Sequence, residues 1–208
     1  MKDFCIDEKS ALESLGFFAS CFAMKERGFD MKEIAEVIRN IPDFPRPGIQ
    51  FKDIMPLLSN AELFTETINQ LKALHPPESV DMVVGIEARG FVFASALAYA
   101  LGAGVSLLRK SGKLPSAVHS ETYDLEYGSD ALEIHQDAFL PGQRILLVDD
   151  LLATGGTIRA ALNLIRDNFE VELVGVDVLM ELCFLKGRDL LNDVPVQALV
   201  QYKGEGSE

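Results

Sequence analysis

Residues 144–165 admit few folds. They begin as a continuous apolar run, Ile145-Leu146-Leu147-Val148, and pass directly into two adjacent carboxylates, Asp149 and Asp150. A small-residue turn follows, Ala153-Thr154-Gly155-Gly156-Thr157, and then IRAALNLI, in which Ile158, Ala161, Leu162 and Ile165 share one helical face. An apolar run without alternation suits a core strand buried on both faces, and a strand followed by a Gly-Gly turn and a helix makes an anion site. Free N–H groups and the positive end of the helix dipole converge there, while glycine lets an oxygen-rich ligand come close to the backbone. Carboxylates are poor partners for phosphate but good acceptors for sugar hydroxyls, directly or through a hard cation such as Mg²⁺. Side by side, the two features point to a ribose 5-phosphate. Two commoner nucleotide motifs fit worse: no lysine follows Gly155-Gly156 as a P-loop requires, and Gly102-Ala103-Gly104 lacks the third glycine of a dinucleotide fingerprint. The competing reading is a buried strand with an acidic turn and no ligand.

The rest of the chain alternates in the same way. Strands are predicted at 80–86, 105–109, 145–149, 173–180 and 194–202, with helices at 90–101 and 157–167. Continuous apolar strands alternating with helices indicate an α/β fold with a mostly parallel central sheet flanked by helices. Upstream, Asp30 with Glu33 resembles a capping box for the helix MKEIAEVIR, and Ser59 with Glu62 for a helix presenting Phe64, Ile68 and Leu71. Three prolines exclude helix between 41 and 48. TYDLEY and ALEIHQDAF look extended. Residues 31–208 form one domain, and residues 1–30 an N-terminal extension without a legible role, read as an added helix or a mis-assigned start.

The net charge of −13 argues against a nucleic-acid partner, because non-specific binding of nucleic acid needs a basic surface. An anionic substrate must therefore meet a local positive patch. Cys5, Cys21 and Cys183 show no regular spacing, and His75, His119 and His135 no metal-ligand spacing. The apolar stretch 91–108 is long enough to be weighed as a membrane span, but Gly102 and Gly104 divide it into a helix and a strand. The patch at 15–24 follows acidic residues where a signal peptide needs positive charge. The expectation is a cytoplasmic protein with no membrane segment.

In such sheets ligands bind beyond the carboxyl ends of the strands. Three strand ends carry suggestive residues: Glu87-Ala88-Arg89-Gly90, Arg109-Lys110-Ser111-Gly112-Lys113, and Asp149-Asp150. Arg89, Arg109, Lys110 and Lys113 would make a basic cluster suited to a pyrophosphate, though each alone reads as a solvated charge. The polar segment 112–130 is too long for a plain connection and reads as a lid over the site, with Glu126 and Tyr127 its most informative side chains.

Several segments in order and spacing, IPDFPRPGIQFKDIMPLL, GIEARGFVFASALAYALGAG, RKSGKLP, YDLEYGSDALEIHQDA, VDDLLATGGT and MELCFLKGRDLL, resemble the adenine phosphoribosyltransferases over about residues 31–202. VDDLLATGGT alone resembles the phosphoribosyl pyrophosphate (PRPP) motif of the wider type I phosphoribosyltransferase family. The resemblance implies that fold, with a small hood and a flexible active-site loop, and the reaction of adenine with PRPP to give AMP and pyrophosphate in a purine-salvage homodimer. It implies Mg²⁺, with no protein residue named as a direct ligand. It would give Ala153, Thr154, Gly155, Gly156 and Thr157 the 5′-phosphate and Asp149 and Asp150 the ribose hydroxyls. Glu87, Ala88, Arg89, Arg109, Lys110 and Lys113 would serve pyrophosphate, the Glu87–Ala88 peptide as a cis bond. Phe51 and Leu182 would sandwich adenine, with the backbone at Lys52 reading its edge, and Glu126 would be the catalytic lid carboxylate. Gln50, Met55 and Ser111 depart from the family pattern. A phosphoribosyltransferase for another purine, or a PRPP-binding regulator, are the alternatives.

Overall fold

The computed structural model describes residues 31–124 and 129–204. A seven-stranded sheet forms the centre. Its parallel part runs, from one side to the other, β4 (Gly104–Lys110), β3 (Met82–Ile86), β7 (Arg144–Leu152), β8 (Glu172–Leu182) and β9 (Val196–Tyr202). Beside β4 an antiparallel hairpin extends the sheet, β5 (Val118–Asp124) pairing along its whole length with β6 (Ser129–His135). The loop after Ser111 is thus shorter than the polarity of the segment suggests, because pairing starts at Val118↔His135.

Burial on both faces explains the apolar runs. Along β7, Leu146 and Val148 join one core cluster and Ile145 and Leu147 the other, all fully buried. The period of two therefore points successive side chains into two separate cores. Helix α4 (Gly90–Leu101) covers the first through Phe93, Ala94 and Leu97. Helix α5 (Gly156–Asn168) covers the second through Ile158, Ala161, Leu162 and Ile165, the face predicted for it. Helix α4 ends at Gly102, whose φ of 72° is the left-handed conformation that glycine supplies at a helix end. The apolar stretch 91–108 divides there into helix and strand, and no described helix is long and apolar enough to cross a membrane.

The amino-terminal part packs on the α4 side. It comprises α1 (Met31–Val37), a two-stranded antiparallel hood of β1 (Arg39–Pro42) and β2 (Gln50–Asp53), α2 (Met55–Ser59) and α3 (Ala61–Ala73). Two expectations need correction here. Arg39 leaves the helix expected over MKEIAEVIR because it pairs with Asp53 across the hood, its Nε and Nη2 donating to Asp53 Oδ2 at 3.1 and 2.5 Å. Ser59 does not cap α3, since it closes α2. Asn60 does so, its Oδ1 accepting from Glu62 N and Leu63 N at 3.1 Å each. The departures from the family pattern take local roles: Gln50 Oε1 accepts from Asn40 at 2.9 Å, Ser111 Oγ donates to Glu133 at 2.6 Å, and Met55 is exposed. Asp30, Cys5, Cys21 and the extension 1–30 lie outside the described residues.

Gly85 lets α4 sit on β3. A β-carbon there would stand 2.8 Å from Ala94 Cβ and 3.2 Å from the Phe91 backbone. Gly85→Ala should therefore destabilise the protein by about 1–3 kcal/mol through overpacking, read as a lower urea midpoint at unchanged m-value.

Candidate active site

The carboxyl ends of β3, β4 and β7 open on one cleft of about 330 Å³. Glu87, Ala88, Arg89, Lys110, Asp149, Asp150, Ala153, Thr154, Gly155, Gly156 and Thr157 all line it, so the three strand ends and the glycine turn converge as expected. Tyr123 and Asp130, from the hairpin, complete the wall. A second cavity of about 390 Å³, lined by His75, Arg144 and Asp177 among others, lies towards the amino ends of the strands. It is larger, but the anion loop and the paired carboxylates are at the first.

The strand β7 runs on through the two carboxylates to Leu152 instead of stopping at Asp149, pairing Leu151 with Met180 of β8. Asp149 and Asp150 both line the cleft with their carboxyls side by side, Asp150 the less exposed of the two. Asp149 Oδ1 accepts from the Asp150 N–H at 2.9 Å. Gly90 makes room for it, since a β-carbon at 90 would stand 2.8 Å from that oxygen. Arg89 Nη2 lies 2.9 Å from Asp150 Oδ2, but off the direction of a hydrogen bond, and that oxygen has no hydrogen-bond partner. Burial raises the Asp149 carboxyl well above the ordinary range, and the charge of Asp150 raises it further. Burial also raises Asp150, against the opposing pull of Arg89.

The basic residues cluster, with Glu87 at their centre. Glu87 accepts from Arg109 Nε at 3.3 Å, from the Lys110 N–H at 2.9 Å and from Lys113 Nζ. Burial opposes its charge, but these donors outweigh that and hold its carboxyl below the ordinary range. Lys110 Nζ pairs with Asp130 at 2.8 Å, a partner with no signal in the sequence. The Glu87–Ala88 peptide is cis, as the family resemblance implied. Arg109 and Lys113 stand behind Glu87 and do not line the cleft itself.

The turn 153–157 forms the start of α5, with Gly155 at the N-cap in the left-handed region, φ 85°. Its N–H groups and the helix dipole face the cleft, an arrangement that binds anions. The hood approaches through Arg89, whose Cζ lies 5.0 Å from the centre of the Phe51 ring and whose Nη1 donates to the Lys52 carbonyl at 3.5 Å. Phe44 meets Phe51 edge-on at 5.1 Å. Lys52 Nζ stacks over the Tyr202 ring at 3.9 Å, where burial lowers its pKa. Leu182 pairs with Tyr202 at the carboxyl end of β8. Phe51, Lys52 and Leu182 thus border the site without lining the cleft. Glu126 and Tyr127 lie outside the described residues.

Similarity to known proteins extends over most of the described residues. Residues 50–193 match the family described as phosphoribosyl transferase domain. A protein named adenine phosphoribosyltransferase from Chloroflexus aurantiacus is 51% identical over 176 residues, covering 82% of this chain and 98% of its own. One of the same name from Salinispora tropica is 51% identical over 178 residues, covering 84% and 94%. The crystal structure of adenine phosphoribosyltransferase from Thermoanaerobacter pseudethanolicus superposes with a TM-score of 0.79 at 47% identity, covering 83% of this chain and all of that one. The Saccharomyces cerevisiae enzyme, complexed with an imino-altritol bisphosphate and adenine, gives 0.77 at 40% identity, covering 81% and 97%.

Because their folded pKa values are raised, the Asp149–Asp150 pair favours folding fully only below the unfolded value near 3.8, and that contribution is lost as pH rises through the raised values. At neutral pH the ionised pair is a cost. Asp150→Asn should therefore raise the melting temperature, by more at pH 8 than at pH 5, in paired thermal melts.

Proposed function

The chain belongs to the phosphoribosyl transferase family, and from that premise we propose that it transfers the 5-phosphoribosyl group of PRPP to adenine, releasing AMP and pyrophosphate. The observation that carries this reading is the convergence of an anion-binding turn, a carboxylate pair and a basic cluster on one cleft. Relatives at 51% identity bear the adenine enzyme's name, and a yeast relative was crystallised with adenine.

Residues 153–157 hold the 5′-phosphate with backbone N–H groups, and Asp149 and Asp150 accept from the ribose hydroxyls. The orphan Asp150 Oδ2 suits that task, being buried with acceptor capacity to spare. Arg89 and Lys110 face the pyrophosphate, with Arg109 and Lys113 anchored behind Glu87. Adenine lies between Phe51 and Leu182 at the hood, its edge against the Lys52 backbone. Departure of pyrophosphate leaves positive charge on the sugar. Nearby carboxylates favour that charge, while the cations favour the leaving group. The adenine nitrogen then bonds to the anomeric carbon and loses its proton, and Glu126, the carboxylate that the family resemblance assigns to the site, either receives it or favours the cationic sugar electrostatically.

The donor set fits Mg²⁺. Two carboxylates provide hard oxygen ligands but fewer than the roughly six that Mg²⁺ takes, so the ion would complete its shell from substrate oxygens and water. When bound it would neutralise charge on the pyrophosphate.

The working unit is a homodimer in the cytoplasm. The register Val83↔Val105 and Gly85↔Leu107 puts Val105 and Leu107 on the face of the sheet that α4 covers. With Val92 and Tyr99 of α4, the tyrosine 90% exposed, they leave apolar surface suited to a second copy.

Purified protein supplied with PRPP and Mg²⁺ should form AMP from adenine and no nucleotide from hypoxanthine, guanine or xanthine. Failure with adenine alongside turnover of another base would replace the specificity, and failure with all four would remove the reaction. Glu126→Ala should mainly lower kcat, by about 10²–10⁴-fold. Asp150→Asn should raise the KM for PRPP. Unchanged kcat in the Glu126 variant would refute its role.

A further inference from the structure

The segment Lys186-Gly187-Arg188 has no part in the reaction just described. It follows β8, which ends at Leu182, through a short 3₁₀ turn at Cys183–Leu185, and Gly187 opens another at Gly187–Leu191. The backbone of Gly187 lies flat against the anion turn. A β-carbon on Gly187 would stand 2.2 Å from the Ala153 carbonyl oxygen, 2.9 Å from Gly155 N and 2.9 Å from Thr154 C. A β-carbon on Gly155 would stand 2.5 Å from the Gly187 carbonyl oxygen. These contacts are backbone against backbone, with no side chain to rotate aside. Gly155 is required by conformation as well as space, whereas Gly187 is not in the positive-φ region and is required by space alone.

The segment that supports the turn is itself clamped. Arg188 Nη2 and Nε donate to Glu181 Oε2 and Oε1 at 2.6 and 3.1 Å, and Nη1 donates to the Val196 carbonyl at 2.7 Å. Glu181 is buried near the end of β8, and Gln201 of β9 donates to it at 3.3 Å. A bidentate guanidinium–carboxylate pair fixes orientation as well as distance. One arginine thus fastens the segment to two strands of the sheet, and the segment's first glycine forms the floor under the anion turn.

We propose that Gly187 and Arg188 are positioning residues for the phosphate-binding turn. The floor at Gly187 sets where the N–H groups of 153–157 point, and Arg188 sets where the floor is. The proposal rests on the assignment of residues 153–157 to the 5′-phosphate.

The test combines steady-state kinetics with calorimetric titration of ribose 5-phosphate, for the parent and for Gly187→Ala, Arg188→Met and Arg188→Lys. Displacing the turn by about an ångström should raise the KM for PRPP and weaken ribose 5-phosphate binding about 100-fold in Gly187→Ala. Arg188→Met should lose about tenfold in both, and Arg188→Lys should recover part of that, since an ammonium cannot make the two-pronged bond. The KM for adenine should move far less than that for PRPP. If Gly187→Ala does not fold, the Met and Lys pair decides. Lowered melting temperatures with unchanged PRPP KM and ribose 5-phosphate affinity would overturn the proposal, as would equal rises in the KM of both substrates. A parent that makes no AMP from adenine, with ribose 5-phosphate affinity still lost in the variants, would refute the adenine assignment while supporting the positioning role.

Discussion

Everything at the cleft depends on the burial of β7 on both of its faces. Four consecutive apolar side chains with no exposure, alternating between two cores, allow the strand neither to slide nor to roll. A shift by one residue would send Leu146 and Val148 to the α5 side and exchange the positions of Asp149 and Asp150. The packing of the interior thus determines which carboxylate is buried beside Arg89 and which lies against Gly90. Catalytic geometry here is a by-product of core register.

Burial at that point has an energetic consequence. Two adjacent carboxylates at the end of a buried strand are costly to ionise, and Arg89 offsets only part of the cost for Asp150. The fold tolerates the expense because β7 is supported on both sides by β3 and β8 and covered by two helices. Glu87 shows the opposite balance, since its three donors more than compensate for its burial.

Local periodicity and turn chemistry revealed what was local. The strand at 145–149, the helix over 90–101 with its glycine stop, and the apolar face of α5 follow from patterns within one element. The site's components were legible for the same reason, each being a short motif at a strand end. Errors arose where a neighbour competed. Ser59 was spent closing α2, so Asn60 capped the next helix, and Arg39 was drawn into the hood by Asp53. The extent of the β5–β6 hairpin was hidden because its polar residues pair through backbone groups, which carry no composition signal. The contacts of Gly187 with the anion turn were least legible. They join backbones distant in sequence, and the only trace was a glycine and an arginine inside a family segment with no assigned role.

The cations of the site are all engaged before any substrate arrives: Arg89 with Asp150, Arg109 and Lys113 with Glu87, Lys110 with Asp130. Paired charges cast little field beyond their own neighbourhood, and the chain as a whole carries a net −13. A polyphosphate therefore feels no long-range pull towards the cleft and reaches it by undirected diffusion. Its advantage appears only on contact, when its oxygens take over guanidinium and ammonium groups already held in place. Discrimination is thereby moved from capture to retention, into the time a ligand stays after arriving.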